Sequence, residues 1–178
     1  ARAGRAWCDE RYLGIAQRAL AVLRTRLVDA DGRLHRTLSG GAPRHSGMLD
    51  DHAAVCAAAI DVFEATGDAT AIAFSAELAR VVEAHFADDA RGGWFSTPDD
   101  GEAPLARMKE THDGSEPLGA SLHALSLVRL SALLGDVALR QRAERAVQSV
   151  GQVLNHAPLA MSEMLLAVEA LHGATREA

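Results

Sequence analysis

The sequence predicts an all-α fold built from helical hairpins, and three observations support this. Hydrophobic residues make up 48% of the 178 residues but aromatic residues only 4%, so alanine, leucine and valine must supply most of the core. Alanine and leucine favour helices, and apolar residues recur three or four positions apart over long stretches. The third observation is an internal repeat, because the dipeptide Gly67-Asp68 recurs as Gly135-Asp136 between two further apolar segments.

The apolar periodicity predicts six helices. The first extends from about Ala6 to Leu27, and the second and third cover about 49–65 and 69–86. A glycine followed by an aspartate separates the second helix from the third, and these residues suit a left-handed helix end and a new N-cap. The fourth, fifth and sixth helices are predicted at about 118–134, 137–154 and 158–172, with Pro158 in the first turn of the last.

Each repeat therefore consists of an inner helix, a tight Gly-Asp turn, an outer helix and a long polar loop. The exits of the first and third helices also resemble each other, as RLVDADGRLHRT beside HFADDARGGWFST. Helical hairpins that repeat in this way stack into a solenoid or close into a ring. The segment near 92–110, which begins GGWFSTPDD, is predicted to form a small β-hairpin over one end of the helices.

Composition excludes several classes of function. The formal net charge of −6 and the absence of a basic stripe argue against nucleic-acid binding, and no apolar run is long enough for a membrane span. Cys8 and Cys56 are far apart and no C-x-x-C motif occurs, which favours a reducing cytoplasm. The sequence begins with Ala-Arg-Ala, so we expect a single domain over 1–178 that is a fragment of a longer chain. No cofactor is expected.

Several short motifs occur in an order that resembles a known family. The motifs are LDDHA, FEATGD, FADDARGGWFSTPDDGE, RMKETHDGSEPLGAS and LLGD. Their order resembles the C-terminal part of the spermatogenesis-associated protein 20 / YyaL family. The resemblance implies an α/α toroid similar to N-acylglucosamine 2-epimerases and six-hairpin glycosidases, of which this chain would form a partial ring. It also implies a thioredoxin-like domain elsewhere in the longer protein.

Three positions depart from the pattern of that family. His112, Leu118 and Ala120 stand where the family pattern has tyrosine, serine and asparagine. The last two changes remove a hydroxyl and an amide of the kind that orient sugars. The resemblance therefore implies carbohydrate metabolism less strongly than it implies the fold.

Two polar segments form the candidate site. One lies at the start of the second helix and the other precedes the fourth, and in a toroid both would face the same funnel. The candidate catalytic residues are Asp51, Glu110, His112 and Asp113. The candidate substrate-binding residues are Asp50, His52, Trp94, Lys109, Glu116 and Ser121. Paired carboxylates can act as general acid and base, and a histidine can remove a proton beside a carbonyl.

Structural roles compete with each of these assignments. Asp50 and Asp51 suit the capping of a helix start, and Lys109, Glu110 and Asp113 could form an ion network that pins the hairpin to the helix ends. Trp94 could cover apolar side chains instead of stacking on a sugar. A metal site formed by Asp51, His52, His112 and Asp113 lacks any recognised local spacing, so no metal is expected.

The sequence thus leaves two functions open. The first is a carbohydrate-active or sugar-binding domain, related to sugar epimerases or glycosidases, that takes a small sugar-like ligand. The alternative is a noncatalytic scaffold that binds a protein partner or a linked thioredoxin-like domain. With either function, we expect a partial ring to form a homodimer through its open toroid edge or to rearrange its terminal hairpin. A functional set of residues should line one concave pocket, whereas a structural set should pair with neighbouring backbone.

Overall fold

The computed structural model describes residues 1–101 and 106–173, and helices dominate them. The helices are α1 Arg2–Trp7, α2 Glu10–Arg26, α3 Leu49–Thr66, α4 Ala69–His85, α5 Gly119–Leu134, α6 Val137–Ser149, α7 Gly151–His156 and α8 Ser162–His172. The strands are β1 His35–Ser39 and β2 Ala42–Ser46, and a 3₁₀ turn covers Pro158–Met161. The predicted all-α fold with one small hairpin is confirmed.

The first predicted helix is two helices in the structure. Cys8 adopts a left-handed conformation with φ 53° and ends α1. Asp9 then begins α2, because its carboxylate accepts a hydrogen bond from the backbone N–H of Arg11 at 2.9 Å. The prediction of one helix from Ala6 to Leu27 missed this N-cap, although aspartate is among the best residues for the position.

The last two predicted helices are also interrupted. The fifth predicted helix is broken at Val150, so that α6 ends at Ser149 and α7 begins at Gly151. The sixth begins as the 3₁₀ turn at Pro158 and becomes α-helical only from Ser162. The second, third and fourth predicted helices agree with α3, α4 and α5 to within one residue at each end.

The two Gly-Asp turns have the predicted chemistry. Gly67 and Gly135 end α3 and α5 with φ values of 72° and 70°, a left-handed conformation that glycine adopts without a Cβ penalty. Asp68 and Asp136 then cap α4 and α6, and each carboxylate accepts a backbone N–H at 2.9 Å. The internal repeat is therefore structural.

The loops that follow α2 and α4 repeat as well. An isolated antiparallel bridge joins Val28 to Leu34 in the first loop and Ala87 to Trp94 in the second. The aspartate that follows the first bridge residue is Asp29 in one loop and Asp88 in the other. Each accepts hydrogen bonds from two later backbone N–H groups. Similar sequences at these exits thus produce similar backbones.

The small hairpin lies at a different place from the one predicted. Strands β1 and β2 pair antiparallel around Gly40 and Gly41, whose φ values of 58° and 83° are those of a tight hairpin turn. Near 92–110, the described residues form an irregular loop in which the N–H of Ser96 donates to the carbonyl of Met108 at 2.8 Å. Residues 102–105 of that prediction lie outside the described residues.

Helix α5 lies at the centre of the packing. It packs against α3, α6 and α8, while α3 also packs against α4 and α2. The largest fully buried side chains of the core are Phe86, Ile60, Leu78, Leu127, Leu130, Met161 and Met164. None of the helices in the described ranges combines the length and apolarity that a bilayer crossing requires.

Candidate functional site

A cleft lies between the start of α3, the loop before α5 and the first turns of α5. Its volume is about 350 Å³, within the range of small-molecule sites. The residues that line it are Asp50, Ala54, Glu110, His112, Gly114, Ser115, Glu116, Pro117, Leu118 and Leu122. Four candidate residues, one from α3 and three from the loop, therefore share one concave surface.

Close contact between α3 and α5 builds the floor of the cleft. The Oδ1 atom of Asp50 accepts a hydrogen bond from the backbone N–H of Gly119 at 2.8 Å. A Cβ atom at Gly119 would overlap this carboxylate and lie 2.8 Å from the Cα of Asp50, so glycine is needed for the approach. Asp50 thus caps α5 from the neighbouring helix and still faces the cleft.

Asp113 holds the backbone in place. Its Oδ1 atom accepts the N–H of Leu118 at 3.0 Å, and its Oδ2 atom accepts the N–H of Glu163 at 3.1 Å. One carboxylate therefore ties the start of α5 to the first turn of α8. The candidate catalytic role of Asp113 is not supported by this geometry, because Asp113 does not line the cleft and both of its oxygens already accept backbone donors.

Asp51 and His52 also have structural partners. The Oδ2 atom of Asp51 accepts the N–H of Met48 at 2.8 Å and lies 3.1 Å from the Nε of Arg36. The Nε2 atom of His52 accepts the N–H of Leu34 at 3.2 Å, so Nδ1 carries the proton and donates to the carbonyl of Met48 at 2.8 Å. Burial lowers the pKa of His52. The hydrogen bond to the carbonyl of Met48 acts in the opposite direction, because it favours the protonated form, but it does not outweigh burial.

Lys109 is held by residues of the loop that follows α4. Its Nζ atom lies 2.6 Å from a carboxylate oxygen of Asp88 and donates to the carbonyl of Gly92 at 2.5 Å. It also lies 5.1 Å from the centre of the Phe95 ring. Lys109 thus pins its segment to the loop after α4, whereas Glu110, which was expected in the same ion network, lines the cleft instead.

Trp94 and Ser121 are buried away from the cleft. The indole Nε1–H of Trp94 donates to Glu83 at 2.7 Å, and its ring packs against the ring of His123 on α5. The Oγ of Ser121 lies inside α5 and has no hydrogen-bond partner among the described residues. Neither side chain can contact a ligand in the cleft without a rearrangement.

Sequence reasoning missed a polar cluster centred on Glu83, in which Trp94 and His123 are buried and Glu83 and Arg142 are half-buried. One carboxylate oxygen of Glu83 accepts Trp94 Nε1 and His123 Nε2, at 2.7 and 3.2 Å, and the other accepts Arg142 Nε. The ring of His123 packs edge-on against Trp94 with centroids 4.6 Å apart. We call this group, Glu83, Trp94, His123 and Arg142, the buried cluster. The signal in the sequence was an acid that follows directly on Val82, within the apolar positions Ala79, Val82 and Phe86 of the predicted third helix.

The electrostatics of the buried cluster follow from its contacts. Burial alone would raise the pKa of Glu83, but hydrogen bonds and charge from His123 and Arg142 outweigh it, so this pKa lies below its ordinary value. Glu83 therefore stays ionised as the common acceptor of three donors. Arg142 also reaches Asp89 at 2.6 Å.

The metal set considered from the sequence is not assembled, because Asp51, His52 and Asp113 are bound to separate backbone groups. Within the described ranges, a different group brings possible ligand atoms within 4.8 Å of one another, namely His85, Asp99 and Asp100. Asp100 already forms an ion pair with Arg33 at 2.7 Å. None of the three lines the cleft.

The fold and the cleft together define a protein of repeated helical hairpins with an acidic cleft at one end of α3 and α5. No protein-family model matches the chain. The chain is 28% identical over 172 residues to human spermatogenesis-associated protein 20, covering 91% of this chain and 22% of the human protein. The rat protein of that name is 28% identical over 151 residues, covering 79% and 19%.

A Caenorhabditis elegans protein of uncharacterised function is 25% identical over 168 residues, covering 90% of this chain and 23% of the worm protein. The resemblance to spermatogenesis-associated protein 20 that the motifs predicted is thus confirmed over most of this chain. The chain spans about a fifth of the length of these relatives.

Proposed function

We propose that this chain supplies a sugar-type ligand-binding cleft at the rim of an α/α toroid. The observation that carries the proposal is that Asp50 joins Glu110, His112 and Glu116 around one cleft of about 350 Å³, although α3 and the loop are distant in sequence. Convergence of polar groups on a concave surface is the property that distinguishes a binding set from a structural set.

The cleft offers both kinds of contact that a sugar needs. The apolar side chains of Pro117, Leu118 and Leu122 can cover the C–H face of a pyranose ring. Carboxylates accept hydrogen bonds from hydroxyl groups, and an imidazole can donate or accept them. In this proposal Glu110 and His112 are the groups placed to move protons on a bound ligand, whereas Asp51 and Asp113 are positioning residues.

A thermal-shift screen with neutral hexoses, hexosamines and N-acetylhexosamines tests the proposal. A ligand at 100 times its dissociation constant should stabilise the fold by about 2.7 kcal/mol, and the shift should shrink in Glu110→Ala, which removes both hydrogen-bonding oxygens of the side chain. Glu169→Ala is the matched control, since Glu169 is an exposed glutamate on α8 and does not line the cleft. No shift with any sugar would overturn the proposal.

A second candidate function is a noncatalytic scaffold, and the surface of α2 favours it. Tyr12, Ile15 and Val22 form an exposed apolar stripe on this helix, at helical spacing, and in a partial ring this would be an open edge. The stripe would contact a second copy of the chain or a protein partner, including a linked thioredoxin-like domain. Analytical ultracentrifugation of the chain and of Ile15→Glu tests the homodimer, which the substitution should dissociate. A wild-type chain that stays monomeric would contradict it.

A further inference from the structure

We propose that the cleft selects a sugar with a free ammonium group over neutral, N-acylated or acidic sugars. The inference rests on the proposed function, since it names the class of ligand for the same cleft. Three features of the described residues support it. They are the negative charge of the lining, the partners of the neighbouring cations and the N-terminus of α5.

The first feature is the charge of the lining. Three carboxylates face the cleft, from Asp50, Glu110 and Glu116, and its described lining contains neither lysine nor arginine. His112 is the one titratable base among these lining residues. An ammonium group placed among these carboxylates would gain charge-assisted hydrogen bonds, which are roughly twice as strong as neutral ones.

The second feature is that the neighbouring cations are committed elsewhere. Lys109 pairs with Asp88 at 2.6 Å, and Arg36 lies 3.1 Å from Asp51. The guanidinium of Arg107 donates to the carbonyls of His85 and Thr97, at 2.8 and 2.7 Å. None of them is positioned to neutralise the cleft, so a bound cation would meet no competing cation of the loop.

The third feature is that two carboxylates of the protein already occupy the N-terminus of α5. A helix start normally attracts negative groups through its free N–H donors. Here the N–H of Leu118 is taken by Asp113 and the N–H of Gly119 is taken by Asp50. Two carboxylates of the protein therefore already lie at the positive end of the helix, and a ligand carboxylate or phosphate placed there would meet like charge.

Isothermal titration calorimetry with four sugars of one ring type tests the selectivity. The probes are D-glucosamine, D-glucose, N-acetyl-D-glucosamine and D-glucuronate at low salt and about pH 7, where carboxylates are ionised, an amine is largely protonated and an imidazole is largely neutral. We expect glucosamine to bind about tenfold more tightly than glucose, and glucuronate to bind most weakly. Added salt should reduce the advantage of glucosamine, because screening weakens exposed charge pairs.

Two variants connect the selectivity to the cleft. Glu110→Gln and Glu116→Gln should each weaken glucosamine binding by about fivefold while changing glucose binding little, since the amide keeps a hydrogen-bonding oxygen but loses the charge. Glu169→Gln should leave both affinities unchanged. Melting curves of the free variants report that each one is folded.

The possible failures are distinguishable. Glucose or N-acetylglucosamine binding as tightly as glucosamine would overturn the selectivity and leave the sugar cleft standing. Glucosamine binding that is unchanged in both glutamine variants would also overturn it, because the charge would then lie elsewhere. If none of the four sugars binds, both this inference and the proposed function fail.

Discussion

The cleft and the buried cluster are two acidic regions that differ in how their charge is balanced. In the buried cluster one carboxylate, Glu83, accepts hydrogen bonds from Trp94, His123 and Arg142. In the cleft three carboxylates share a surface whose described lining holds no lysine or arginine. The first region is saturated by the protein itself, whereas the second retains capacity to bind something else.

This difference shows which charged residues are structural. Buried polar groups are almost always paired, since an unpaired one costs free energy. By that criterion Asp51, Asp113 and Lys109 have structural roles, as the buried cluster does, although they were predicted as site residues. Glu110, His112 and Glu116 remain exposed in the cleft. Substitutions in the two regions should therefore affect different properties of the protein.

The largest effect is expected in the buried cluster. Glu83→Ala leaves three donors without their acceptor, which should lower the free energy of unfolding by about 3 kcal/mol. Urea denaturation followed by circular dichroism measures this, with Glu169→Ala as the exposed control. A loss of less than about 1 kcal/mol would mean that the cluster is not the structural counterpart of the cleft.

A smaller loss is expected at Asp113, the carboxylate that ties α5 to α8. Asp113→Ala removes the acceptor of two backbone N–H groups and should cost about 2 kcal/mol, since one N-cap contributes about 1 kcal/mol. Asp113→Asn keeps one acceptor oxygen and should cost about half as much. Equal stability of the alanine variant and the wild type would contradict the structural role and return Asp113 to the candidate catalytic set.

The pH dependence of stability should reveal buried His52. Burial lowers its pKa in the folded state, so the unfolded chain binds a proton at a higher pH than the folded one does. The stabilising contribution is therefore complete above the unfolded pKa, about 6.5, and is lost as the pH falls below it. Urea midpoints between about pH 8 and pH 5 should decline, and His52→Gln should show a shallower decline. An identical slope in the variant would contradict this assignment.

The smallest effect on stability is expected in the cleft. Glu110→Gln and Glu116→Gln should change the free energy of unfolding by less than about 0.5 kcal/mol, because both side chains are exposed and surface substitutions rarely do more. Relief of repulsion among the carboxylates would make any change stabilising. A loss above about 1 kcal/mol would show that these glutamates support the fold, and it would remove the contrast with Glu83.

The parts of the fold that could be predicted are those encoded locally. Gly67-Asp68 and Gly135-Asp136 specify a left-handed helix end and an N-cap within two residues, so their turns were predicted correctly. The hairpin at 35–46 was missed although Gly40-Gly41 is a strong turn signal. Its strands HRTLS and APRHS carry little of the apolar alternation that usually marks a strand.

The candidate site was harder to predict because its members are sorted by distant contacts. The motif from Lys109 to Ser121 contains both cleft residues and structural ones, and sequence spacing does not separate them. The structural role of Asp113 depends on its hydrogen bond to the N–H of Glu163 on α8. That of Lys109 depends on its ion pair with Asp88 in an earlier loop. Glu83 was overlooked because its three partners come from three different segments of the chain.

The central claim, that the cleft binds a ligand and the buried cluster does not, is tested most directly by nuclear magnetic resonance. Titration of the ¹⁵N-labelled chain with D-glucosamine should shift the backbone amide signals of Glu110, His112 and Glu116. The indole Nε1–H signal of Trp94, which is bound to Glu83, should stay in place. Shifts centred on Trp94, or no shifts in the loop up to a millimolar excess of ligand, would contradict the account.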